Sequence, residues 1–148
     1  MMTSNRRFFS LFGTAVMAAA LAPSMTSAQA QANAAKNKVV FQMSDGDATK
    51  WRLALNNMHN LQVDLGGEPV DLELVAYGPG IGMLKADSVL AQQISEMLKT
   101  GAKLVACENT MQGMNLVHAD MLVGIDYVPS GVVELVRKQQ QGYAYIRP

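Results

Sequence analysis

The whole 148-residue chain has one cysteine, Cys107, so no disulfide can close within it and the fold must stand on its packed core. An excess of positive charge is also missing. Twelve Lys and Arg balance 12 Asp and Glu, which leaves no basic patch for a nucleic-acid or anionic-membrane partner. No apolar run reaches the about 20 residues of a comfortable membrane span. No Gly-Lys-Ser/Thr follows a glycine loop, which excludes a P-loop, and no G-x-G-x-x-G opens a helix after the first strand. Ser130 has no histidine or acid beside it in the sequence, so a serine hydrolase is not indicated. These absences call for no cofactor and no metal ion.

The N-terminus holds the parts of a signal peptide. Arg6 and Arg7 precede an apolar run from Phe8 to Ala22 of about 15 residues, and small residues end in Ala28-Gln29-Ala30. Residues 1–30 are therefore expected to be removed, leaving a mature chain of about 118 residues, one domain, in the periplasm. The alternative is an uncleaved anchor, for which the run is short. The arginine pair followed by Phe8 and Phe9 fits a twin-arginine signal in part, with Asn5 and Ser10 departing from it. Two arginines also satisfy the general route. A signal carrying Arg6 and Arg7 and no acid leaves the mature part slightly acidic. That part should need no membrane.

After a leader over 31–37, apolar periodicity predicts alternating strands and helices over 38–148. Lys38 to Met43 reads as a strand. Trp51, Leu55, Met58, Leu61 and Leu65 recur at helical spacing over 48–64, with Asp47 as N-cap and Gly66-Gly67 as stop. Val70 to Ala76 reads as a second strand whose early alternation suggests a place nearer a sheet edge. A glycine-rich loop follows over 77–84, then a helix over 88–100. Lys103 to Cys107 is a third strand, leading into a helix capped by Asn109 or Thr110. Pro129-Ser130-Gly131 opens a last helix, and Tyr143 to Ile146 a final strand. The pattern predicts an α/β fold: a three-layer α/β/α domain with a mainly parallel four- or five-stranded sheet.

Ligands of such sheets bind beyond the carboxyl ends of the strands. The loops 44–47, 77–82 and 107–110 leave those ends together. They put Asp45, Tyr77, Gly78, Gly80, Asn109 and Thr110 around Cys107 as candidate binding residues. A helix starting just after Cys107 would turn N–H groups and a positive dipole end toward the sulfur, which favours a reactive thiolate. A small buried hydrophobe closing an apolar strand is the competing reading. The Gly78-x-Gly80-x-Gly82 pattern fits either a flexible turn or close backbone approach to a ligand or neighbouring subunit. Asp47 reads as a cap and His59 as a solvated surface residue. Met111, Met114, His118 and Met121 step along one helical face if the helix extends that far. They are core filler or, with Cys107, a soft set suited to Cu(I).

The strand entering Ser44-Asp45-Gly46-Asp47, the segment Val75-Ala76-Tyr77-Gly78-Pro79-Gly80-Ile81, and Val105-Ala106-Cys107-Glu108-Asn109-Thr110-Met111 together resemble the DsrE/DsrF-like family. The stretch Tyr127-Val128-Pro129-Ser130-Gly131-Val132-Val133-Glu134 resembles its exported members. The resemblance implies an α/β/α domain that forms homo-oligomers. It also implies a sulfur-relay role in which Cys107 carries a persulfide and passes it to a thiol-bearing acceptor protein or small sulfur compound. The alternative is an oligomeric binding module, without catalysis, in which the cysteine only packs.

Overall fold

The computed structural model describes residues 37–148. The signal peptide read over 1–30 and the leader up to position 36 lie outside the described residues. Position 37, read as the leader's last residue, opens the first strand. Strands and helices alternate in the order β1 (Asn37–Met43), α1 (Ala48–Asp64), β2 (Val70–Ala76), a 3₁₀ segment (Gly78–Leu84), α2 (Ala91–Lys99), β3 (Lys103–Cys107) and α3 (Glu108–Gly113). A short 3₁₀ turn (His118–Asp120), β4 (Asp126–Val128), α4 (Gly131–Gln140) and β5 (Ala144–Ile146) complete it. All strand pairs are parallel, and the sheet order is β4-β3-β2-β1-β5.

The helices divide unequally between the two faces. Val39, Phe41, Met43, Leu72, Leu74, Ala76, Leu104 and Ala106 alternate onto one face, where α1, α2, α3 and the 3₁₀ segment close the larger core. Within α1, Ala54, Leu55 and Met58 are buried, and the Asp47 carboxylate accepts the Thr49 N–H at 2.8 Å to start the helix. Val40, Val75 and Val105 point the other way and meet Leu135 of α4 and Tyr143. Among the described residues a single helix thus covers the second face.

That asymmetry corrects the placing of β2. Its alternation suggested an edge, yet β2 is the middle strand. The polar positions Asp71 and Glu73 are not turned to open solvent as they would be at an edge. Glu73 lies under α4, 2% exposed, with a carboxylate oxygen 2.5 Å from Lys138 Nζ. Burial holds the Glu73 carboxyl above its ordinary range, against the pull of Lys138. Asp71 accepts from the Tyr143 hydroxyl.

Three other expectations shift. The helix read from Ser88 begins at Ala91, because the Ser88 hydroxyl accepts the Leu90 N–H at 3.3 Å and forms a turn that leaves Val89 exposed. The helix after β3 begins at Glu108, so Cys107 itself is the N-cap rather than Asn109 or Thr110. It ends at Gly113, which breaks the methionine stripe. Met111 and Met121 are buried in the core, Met114 is half-exposed, and His118 sits in the separate 3₁₀ turn.

The glycine-rich segment is a 3₁₀ helix with Gly80, Ile81, Met83 and Leu84 buried. Its glycines answer to packing. Gly78 has φ +52°, a region that favours glycine. A Cβ on Gly82 would sit 3.1 Å from the Trp51 ring, and one on Gly80 would lie 2.2 Å from the Met43 carbonyl oxygen. Backbone cannot yield there as a side-chain tip can. Gly80→Ala should therefore lower stability by about 2–3 kcal/mol, and Gly82→Ala by less. Chemical denaturation midpoints of the two variants check this ordering.

Candidate functional site around Cys107

Cys107 ends β3. Leu104 and Ala106 face the larger core, so Val105 and Cys107 face α4. The chain leaves β3 directly into α3, and Val128 of β4 pairs with Cys107 in the neighbouring strand. Three residues beyond Val128, α4 begins at Gly131. Two helix starts therefore meet at one sulfur. They are joined by a backbone bond from the Asn109 N–H to the Pro129 carbonyl, 3.2 Å.

Gly131 makes this approach feasible. A Cβ there would meet Tyr77 Cβ, Tyr77 Cδ1 and Val75 Cγ1, each at 3.2 Å, so a larger residue would lift the start of α4 away from β2. Tyr77, half-buried, packs with Val75 and Leu135 under α4. The Gly78 N–H donates to Thr110 Oγ1 at 3.0 Å. With that lone pair occupied, the Thr110 hydroxyl proton is free to point at the sulfur.

Cys107 is 5% exposed. Burial pushes its thiol up. Donors oppose this: the Thr110 hydroxyl, then the N–H groups of Gly131, Thr110 and Asn109. Together they outweigh burial, and the thiol lies below its ordinary value. The Asn109 N–H acts least on the sulfur, in keeping with its bond to Pro129. The donors that act most on the sulfur are neutral. Glu108, the next residue in the chain, lies 3.6 Å from His118, whose ring stacks on Tyr127 at a centroid distance of 3.8 Å. Tyr127 packs on the opposite side of the sheet, against the larger core.

The fold brings Cys107, Tyr77, Gly78, Thr110 and Asn109 together. Asp45 and Gly80 are occupied elsewhere. Asp45 pairs with Lys50 at 2.9 Å and lies 4.0 Å from Arg147, while its carbonyl accepts the Trp51 indole N–H at 2.6 Å. Gly80 is pressed on β1. Gly131 was read only as the opening of a helix. The signal that could have found it is the one used for Cys107, a strand end followed at once by a helix start.

His59 is exposed in a groove of about 370 Å³ between α1 and α2, lined also by Asn56, Gln93, Glu96 and Thr100 and remote from this rim. Among the described residues no group of three or more His, Cys, Asp or Glu side chains could hold a metal ion.

The DsrE/DsrF-like family model matches residues 18–148. A solved protein of unknown function from Methanobacterium thermoautotrophicum is 39% identical, with a TM-score of 0.73 over 76% of this chain and 99% of that one. A conserved protein of unknown function from Bacteroides thetaiotaomicron shares the fold at 13% identity, with a TM-score of 0.62 over 76% of this chain and 95% of its own. No curated protein matches the chain.

Because the native thiol is lowered, its alkylation rate should rise with pH and level off at a lower pH than in the denatured chain. Thr110→Val removes one donor and should cut the iodoacetamide rate at neutral pH about fivefold, while leaving the high-pH plateau unchanged. Rate–pH profiles of both proteins measure this.

Proposed function

This chain belongs to the DsrE/DsrF-like family, and we propose that it is an exported sulfur carrier working through one cysteine. The observation that carries the reading is the set of donors on Cys107: the Thr110 hydroxyl and the N–H groups at two helix starts, which favour the thiolate despite burial. A thiolate is the nucleophile of sulfur exchange.

In the proposed reaction the Cys107 thiolate attacks the outer sulfur of a donor persulfide. One S–S bond forms at Cys107, the donor's S–S bond breaks, and the donor leaves as a thiolate. An acceptor thiolate then attacks the outer sulfur on Cys107, takes it, and regenerates the Cys107 thiolate. No net electron is exchanged. The chain has no second cysteine to resolve the persulfide, so the acceptor is a thiol-bearing protein or a small sulfur compound. Neutral donors suit this chemistry, because they stabilise the anionic sulfur before loading, during holding and after release.

A second reading has its own support. Cys107 is only 5% exposed, which suits a binding module in which the cysteine packs and the rim around Tyr77, Gly78 and Asn109 takes a ligand or partner. Mass spectrometry after incubation with polysulfide separates the two. The carrier gains the mass of one sulfur atom on wild type and none on Cys107→Ser. No gain on wild type, or an equal gain on Cys107→Ser, leaves the binding module.

Export to the periplasm is part of the proposal and is supported by Arg6-Arg7, the apolar run and Ala28-Gln29-Ala30. Among the described residues no helix is long and apolar enough to cross a membrane. Homo-oligomerisation is supported by Val132, Val133 and Val136, which stand about half-exposed on α4. Light scattering at micromolar concentration should give a multiple of the chain mass. A single-chain mass would remove the oligomer from the proposal.

A further inference from the structure

Helix α4 reaches the Cys107 sulfur at its first residue and a buried ion pair two turns later. The distance is about 10.5 Å along a rigid helix. Only Gly131, Leu135 and Lys138 of α4 are buried, one stripe at i, i+4 and i+7. A lone leucine on a β-sheet does not fix how far a helix slides or rolls. What remains to fix it is the tight fit of Gly131 at one end and the contact of Lys138 with Glu73 at the other.

That contact is costly. Glu73 is 2% exposed and Lys138 8%, and they meet at 2.5 Å. Glu73 Oε1 has no partner. Around them, Lys138 Nζ lies 3.7 Å from Glu134 and 4.9 Å from the Tyr143 ring centre, and Lys103 lies 3.8 Å from Asp71. Replacing such a pair by apolar residues is often neutral or stabilising, so stability alone does not explain its presence. Directionality does, because an ion pair has one register and an apolar contact tolerates several.

We propose that Glu73 and Lys138 are positioning residues for Cys107, acting through α4: their ion pair fixes the helix at the setting in which the Gly131 N–H stays on the sulfur. The proposal rests on the reading of Cys107 as a working thiolate. It assigns a role to a buried charge pair lying toward the opposite end of α4 from the sulfur.

The test is the pH profile of Cys107 alkylation by iodoacetamide in wild type, Glu73→Gln, Lys138→Met, and the double variant Glu73→Leu/Lys138→Met. Lys99→Met, an exposed change on α2, is the control. Glu108, which follows Cys107 in the chain, its partner His118, and Tyr77 and Tyr127 are untouched in all of them. In each Glu73 or Lys138 variant the inflection should move to higher pH. The neutral-pH rate should fall about three- to tenfold, with the high-pH plateau retained. Lys99→Met should follow wild type.

Unfolding of a single variant would leave the decision to the double variant, whose apolar pair keeps the helix packed. A folded double variant with the wild-type inflection would overturn the proposal, as would a wild-type inflection at the ordinary thiol value. Failure of the carrier reading looks different: wild type would keep a low inflection yet gain no sulfur from polysulfide.

Discussion

The structure depends on one constraint, that both faces of a parallel sheet must be covered. Three successive crossovers, through α1, through the 3₁₀ segment with α2, and through α3, lay β2, β3 and β4 outward from β1 on one side. All of these connections cover the same face. The chain can cover the other face only by reversing direction, which it does after β4. Helix α4 crosses back over β3 and β2, and β5 pairs with β1 on the far edge. A reversal of strand order is where such folds bind ligands. Here it brings the start of the last helix to the cysteine that ends β3.

The resulting environment differs from the usual way of activating a thiol. Among the described residues, the groups that act most on the sulfur are hydroxyl and backbone donors rather than an imidazole or a cation. Burial opposes the charge, and several neutral donors overcome it. An arrangement of this kind needs exact placement more than strength, since each N–H or O–H contact contributes little alone. Glycines have a direct part in that placement. Gly131 lets α4 approach β2, and Gly78 sends its N–H to the Thr110 hydroxyl, which turns that group's proton toward the sulfur.

Much of this was legible in the residues. Asp47 and the spacing of Leu55 and Met58 marked α1, and the apolar residues of β2 and β3 marked those strands and their ends. The parallel fold and the rim holding Cys107, Tyr77, Gly78 and Thr110 followed from that order. What could not be read depended on contacts distant in sequence. Asp71 and Glu73 gave β2 the pattern of an edge strand because their partners, Tyr143 and Lys138, lie far along the chain. Gly80 looked like part of a loop because the carbonyl that excludes a side chain belongs to Met43. The helix start at Cys107 was misplaced because Asn and Thr are the better capping residues, whereas here their donors serve the sulfur and a neighbouring carbonyl.

The two outer strands have a further consequence. β4 and β5 are each three residues long, and each is soon followed by a proline, Pro129 and Pro148, which offers no N–H. Long unprotected borders let one sheet continue into the next and seed fibrils; borders this short, ended by residues that cannot donate, resist it. Chains built this way are kept from ribbon-like stacking along the borders of their sheets.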